Sequence, residues 1–119
     1  FRILEFKYLN INYKICDSWL TLTKKGKRSE EHTHNKRDFS GVYYVQTNGH
    51  DGTIIFTNRG IMPTHKIYPK NLEEAMYPPK EGMLILFPPS VPHRVTENKT
   101  DSERISLSFN IDFLEFSYK

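Results

Sequence analysis

The 119 residues hold one cysteine and one alanine, and no uninterrupted apolar run approaches the length of a membrane helix. A lone thiol, Cys16, excludes an intrachain disulfide, so packing or a bound metal must carry the stability, and a reducing, cytoplasmic setting is expected. A lone alanine, Ala75, beside nine threonines and sixteen aromatics (8 Phe, 7 Tyr, 1 Trp) excludes an all-α fold, because β-branched and aromatic side chains favour pleated surfaces. A membrane span needs about 18 to 20 apolar residues in a row. The opening FRILEFKYLN has neither the apolar core nor the small-residue site of a signal peptide, and no membrane partner is expected. The first residue is Phe1 rather than Met, which leaves room for a longer natural chain.

Phe, Ile, Leu and Val together make 31 of the 119 residues, enough apolar surface for a folded core, and the length fits one domain over 1–119. A net charge of +3 and a pI near 9.0 are too small an excess to single out a polyanion, so nucleic-acid binding is not expected. The densest basic run, Lys24-Lys25-Gly26-Lys27-Arg28, reads either as a solvated hairpin tip or as a mouth for an anionic substrate.

Strand signals recur along the chain. Residues 19–23, 40–45, 53–57, 83–87 and 92–95 read as strands, the second and fourth of them apolar on both faces and therefore expected to be covered on both. Asn48-Gly-His-Asp-Gly52 predicts a hairpin that returns 53–57 antiparallel to 40–45, and 97–101 predicts a polar hairpin loop. Between them, 58–81 holds four prolines and no sustained period beyond one helical turn near 72–76; so long a loop suggests a lid over a site. From Arg104 the pattern alternates, with Ile105, Leu107, Phe109 and Ile111 on one face and Arg104, Ser106, Ser108 and Asn110 on the other. The polar face either meets solvent or lines the lumen of a barrel. The aromatic stretch 113–118 offers an edge to a second copy of the chain. Asn98-Lys99-Thr100 has the form of a glycosylation sequon. Seven to nine short strands without a long helix predict an all-β sandwich or jelly roll.

His32 and His34 are separated by one residue, the spacing that lets two side chains of a strand share a metal ion. A third histidine, His93, follows the apolar strand Met83-Leu-Ile-Leu-Phe87, and Arg104-x-Ser106 begins eleven residues further on. This order of motifs, H-x-H, then S-G-V-Y-Y-V, then a hydrophobic strand, then H, then R-x-S, resembles the iron(II)/2-oxoglutarate-dependent oxygenases from about Trp19 to Asn110. It looks most like their prolyl-hydroxylase-like branch, and within that a group from phages and marine bacteria. The resemblance implies a double-stranded β-helix, with His32, His34 and His93 as ligands to Fe(II) and three positions left for the cosubstrate and dioxygen. It further implies that Arg104, Ser106 and Tyr44 bind 2-oxoglutarate, the guanidinium forming paired hydrogen bonds to its distal carboxylate. Trp19, Tyr43 and the 58–81 loop are candidates for contact with a small-molecule or peptidyl substrate that the sequence does not specify.

Arg104 also has a plain reading, a surface cation paired with Glu103 or Asp101, and Tyr44 has one as core packing. The departure from the commonest pattern is His34, which stands where the superfamily has Asp or Glu. Glu31 alternates to the opposite face, and Asp38 lies beyond a turn. Two further readings therefore stand: a three-histidine iron dioxygenase that does not use 2-oxoglutarate, and a non-catalytic jelly-roll binding or structural module.

Overall fold

The structure, a computed structural model, describes residues 9–34, 36–57 and 74–118, with the backbone alone at 9–11 and 115–118. Eight strands are present and, among the described residues, no helix: β1 (Leu9–Thr23), β2 (Ser29–His32), β3 (Phe39–Gln46), β4 (Ile54–Thr57), β5 (Glu74–Tyr77), β6 (Leu84–Phe87), β7 (His93–Val95) and β8 (Arg104–Tyr118). They form two antiparallel four-stranded sheets, ordered β1-β8-β3-β6 and β2-β7-β4-β5. Consecutive strands fall mostly in opposite sheets, as a jelly roll requires. Among the described residues no helix is long and apolar enough to cross a membrane.

Period-2 alternation sets what faces inward. Val42 and Tyr44 of β3, Ile54 and Phe56 of β4, Ala75 of β5, and Ile85 and Phe87 of β6 meet between the sheets, with Phe56 fully buried. The same register turns Leu20, Leu22, Tyr43, Val45 and Leu84 to the outer face of the first sheet, where they are 39% to 66% exposed. The expected double burial of 40–45 and 83–87 is therefore corrected: on the outer face of these two strands only Gly41 is buried. On the outer face Gly41 makes room for its neighbours, since a Cβ there would run into the Phe109 ring and come within 2.9 Å of Leu86 Cδ2.

Two expected hairpins are crossovers instead. Strand β3 pairs with β6 and β8, and β4 pairs with β5 and β7, so the turn 47–52 carries the chain from one sheet to the other. A two-residue type I′ hairpin needs positive φ at both central residues. Gly49 has φ +85°, but Asn48 is not among the positive-φ residues, so the Asn-Gly pair builds a longer turn. The 97–101 loop likewise crosses from β7 to β8, and 24–28 crosses from β1 to β2. In place of the helical turn near 72–76, Glu74–Tyr77 is a strand. Pairing with β4 overrides the helix propensity of Glu, Ala and Met there. Of the expected lid, 58–81, residues 58–73 lie outside the described residues. Residues 113–118 continue β8, one edge of which is occupied by β1 as far as the pair Leu9 and Tyr118.

The two crossovers are stitched by Asn98, which is fully buried. Its amide nitrogen donates to the carbonyls of Thr23 (2.9 Å) and Ser102 (2.8 Å), and its backbone N–H and C=O pair with Lys27 and Gly26. A sequon asparagine so engaged is no acceptor for a glycan in the folded chain. Asn98→Ala leaves buried carbonyls unpartnered and should cost about 3 kcal/mol of folding stability, measurable by urea denaturation at unchanged m-value.

Candidate metal and cosubstrate site

His32 closes β2 and His93 opens β7, and the two are register partners. His34 lies just past the end of β2, held by its backbone N–H donating to the carbonyl of Pro89 at 2.8 Å. Strand pairing thus brings His32 and His93 together, and a loop hydrogen bond completes the group. One ring nitrogen from each histidine lies within 4.8 Å of the other two, and the ring centroids are 4.3 to 5.1 Å apart. Among the described residues no carboxylate or thiol joins this group. The Asp38 carboxylate accepts a hydrogen bond from Phe113 N–H at 2.7 Å, which commits it to β8.

Two of the rings are oriented by backbone. His32 Nδ1 donates to the Glu30 carbonyl at 2.7 Å and His93 Nδ1 to the Val91 carbonyl at 2.9 Å. A carbonyl can only accept, so Nδ1 carries the proton and Nε2 keeps its lone pair for a metal. Burial against Phe87 and Phe56 pushes the His93 pKa down to about 4, with the Val91 hydrogen bond opposing and the other two histidines adding to the shift. His34 is lowered first by its own burial and then by His32. At neutral pH these two imidazoles are therefore uncharged. Three imidazole nitrogens facing one point are the donor chemistry that a divalent iron takes, so the residues fit the ion.

The same cavity, about 300 Å³, runs from the histidines to Arg104, past Tyr44 and Ser106. It decides the reading of β8: Arg104, Ser106 and Asn110 are 5% to 6% exposed, so the polar face turns inward. Arg104 is no surface cation, and Asp101 pairs instead with Lys25. Its Nη1 donates to the carbonyl of Asp51 at 2.7 Å and its Nη2 to Thr23 Oγ1 at 3.1 Å, while Nε is buried without a partner. Among the described residues no carboxylate pairs with it. Burial lowers its pKa, and the Tyr44 and Asp51 charges oppose that fall. Tyr44, 3% exposed, has its own pKa pushed up to about 12 by burial, an effect the Arg104 charge reduces.

Trp19 stands at the cavity mouth, 41% exposed, its ring centroid 6.1 Å from that of His34. Tyr43 is not brought to the site. It pairs with Leu107 and faces outward from the first sheet, because a strand neighbour of inward Tyr44 must point the other way. In the basic run, Arg28 pairs with Glu30 at 2.9 Å, and only Lys27 and Arg28 reach the cavity wall. Sequence reasoning missed Thr23, Asp51 and Gly52, which fix the Arg104 head. The turn motif 48–52 marked a backbone change but gave no hint of its target.

A jelly roll with a three-histidine cluster and a buried guanidinium that has no ion-pair partner among the described residues, all in one cavity, defines a metal-dependent cupin-like protein. The chain belongs to the 2OG-Fe(II) oxygenase family, since residues 17–110 match the family model described as "Putative 2OG-Fe(II) oxygenase". Iron(II) and 2-oxoglutarate are the cofactor and cosubstrate that this family implies. Among solved structures the fold is similar to an oxidoreductase of the 2OG-Fe(II) oxygenase family from Burkholderia pseudomallei, with TM-score 0.67 and 17% identity over 86% of this chain and 46% of that one. It is also similar to a Pseudomonas putida prolyl-4-hydroxylase, with TM-score 0.61 and 20% identity over 90% of this chain and 54% of that one. The chain thus spans about half the length of either structure. No curated protein matches it.

Proposed function

We propose that the chain is a non-haem iron dioxygenase that consumes 2-oxoglutarate and hydroxylates an organic substrate. The observation that carries this reading is the Arg104 guanidinium, 5% exposed, with an unpartnered Nε and, among the described residues, no carboxylate paired with it, in the cavity that also holds the histidine cluster. A buried cation without a counterion costs free energy unless an anion arrives to neutralise it. A dicarboxylate chelated at one end by metal supplies that anion at its other end.

In this reading His32, His34 and His93 hold the iron. Arg104 binds the distal carboxylate, Ser106 adds a hydroxyl donor, and Tyr44 donates its phenolic proton, which its raised pKa keeps in place. Trp19 closes the mouth and meets the substrate. When bound, iron and cosubstrate supply the oxidising chemistry: dioxygen converts 2-oxoglutarate to succinate and CO2 and delivers its second oxygen atom to a C–H bond. The protein supplies orientation and a dry wall, made by Phe87, Val42 and Ile54. Free Cys16 and the need to keep iron ferrous support a reducing, cytoplasmic setting for the reaction. The substrate is a small molecule or a peptidyl residue, and neither a membrane nor a nucleic acid takes part.

The test is an anaerobic titration with Fe(II) and then 2-oxoglutarate, watching for the weak visible charge-transfer band of the chelate. A saturable band at one equivalent of iron is expected. Stoichiometric iron without a band would move the assignment to a three-histidine dioxygenase, the reading that His34 in place of a carboxylate favours. No bound iron would leave a jelly-roll binding module.

A further inference from the structure

The Asp51 carboxylate is a neighbour of Arg104 that does not pair with it. Asp51 is fully buried, and both its oxygens are engaged within its own turn: Oδ1 accepts from Thr47 Oγ1 at 2.5 Å and Oδ2 from Asn48 N–H at 3.0 Å. Thr47 Oγ1 in turn accepts from Gly49 N–H at 3.0 Å, and Asn48 Oδ1 from His50 N–H at 2.8 Å. What the turn presents to the guanidinium is the neutral Asp51 carbonyl. The following residue must be glycine. Gly52 has φ +118°, and a Cβ there would run into Arg104 Nη1 and come within 2.6 Å of the Thr96 carbonyl.

We propose that the 47–52 turn is a positioning device for the cosubstrate: it seats Arg104 on a carbonyl and holds the Asp51 carboxylate away, so that the guanidinium keeps its charge for an incoming anion. The inference rests on the reading of Arg104 as the 2-oxoglutarate anchor. Were Asp51 released, its carboxylate would compete with the cosubstrate for the same fork, and at so short a range an internal carboxylate outcompetes a dissolved one. Thr47 is thus a positioning residue that acts through Asp51 and touches nothing that reacts.

The experiment measures formation of the Fe(II) chelate with 2-oxoglutarate and, in parallel, with 2-oxobutyrate, which chelates through the same atoms but lacks the distal carboxylate. Thr47→Val removes the hydroxyl that tethers Asp51 and should weaken 2-oxoglutarate binding by about tenfold, with 2-oxobutyrate unchanged. Adding Asp51→Asn to Thr47→Val should restore most of the loss, because an amide has no charge with which to compete. A purely structural role predicts the opposite, a double variant worse than the single. Gly52→Ala probes the same contact from the other side, and should also weaken 2-oxoglutarate by about tenfold or more while sparing 2-oxobutyrate. Wild-type affinity in Thr47→Val, or a double variant no better than the single, would overturn the proposal. A wild-type protein that holds iron and 2-oxobutyrate but gains nothing from the distal carboxylate of 2-oxoglutarate would overturn the reading of Arg104 itself.

Discussion

Arg104→Met should abolish the response to 2-oxoglutarate while leaving the apoprotein folded. The guanidinium offers a planar fork, and hydrogen bonds to charged partners are worth about 1.5–3 kcal/mol each, so losing two of them weakens the cosubstrate by about a hundredfold or more. The fold is expected to survive because Arg104 contributes little to it. It is buried to 5% exposure with one nitrogen unpartnered, so desolvation offsets its two hydrogen bonds to Asp51 and Thr23. The apoprotein stability of the variant should stay within about 1 kcal/mol of wild type, methionine filling the volume of the lost stem. Thermal denaturation separates the two effects. A ligand present at a hundred times its Kd adds about 2.7 kcal/mol to the folded state. Iron-loaded wild type should gain that increment from 2-oxoglutarate, and Arg104→Met should not. Arg104→Lys keeps the charge but not the fork, and should fall between, about tenfold weaker than wild type. An equal thermal shift in all three proteins would remove Arg104 from the cosubstrate site.

Why this residue could be singled out before the fold was known, and others not, follows from what each signal measures. The alternation from Arg104 to Ile111 fixes two faces but not which is inside; in most half-buried strands the apolar face wins. Here the polar face does, since Arg104, Ser106 and Asn110 are buried while Ile105, Leu107 and Phe109 are only partly covered. Only the histidines, read together with Arg104, tip that choice. The H-x-H pair was legible for a related but different reason. Spacing suggested one strand face, yet β2 ends at His32, and His34 arrives by the loop bond to Pro89.

Local signals mislead where tertiary pairing overrides them. The Asn48-Gly49 turn is real, but its destination is the other sheet, a choice made by β6, β7 and β8, which lie far along the chain. Strand β5 has helix-forming residues and exists because β4 presents it an edge. The first half of β1 carries Leu9, Ile11, Tyr13 and Ile15 in clean alternation, so the strand begins well ahead of the stretch expected from Trp19. Tyr43 and Tyr44 show the limit of motif reasoning. Adjacent residues of a strand cannot both face one cavity, so Tyr44 in the lumen sends Tyr43 outside.

His93→Ala should have the largest effect of any single change, loss of about a hundredfold or more in metal affinity, because the three histidines differ in how firmly they are held. His93 is 4% exposed, packed by Phe87 at a ring distance of 4.7 Å and tethered to Val91, so its Nε2 is aimed before any ion arrives. His32 has the same tether, to Glu30, on an exposed strand end. His34 has no side-chain hydrogen bond among the described residues; its backbone is held by Pro89 and its ring only by contacts with neighbouring rings. Losses should therefore rank His93→Ala above His32→Ala above His34→Ala. Trp19 provides the readout: it is the chain's one tryptophan, 6.1 Å from the His34 ring, and a paramagnetic ion such as Co(II) bound at the cluster should quench its emission. His34→Asp is the informative companion. A carboxylate lowers the charge of the occupied site by one unit and restores the third ligand, so quenching in His34→Asp should saturate at lower Co(II) than in His34→Ala. Undiminished Co(II) affinity in His93→Ala would mean that the ion sits elsewhere, and the assignment of the cluster would fall with it.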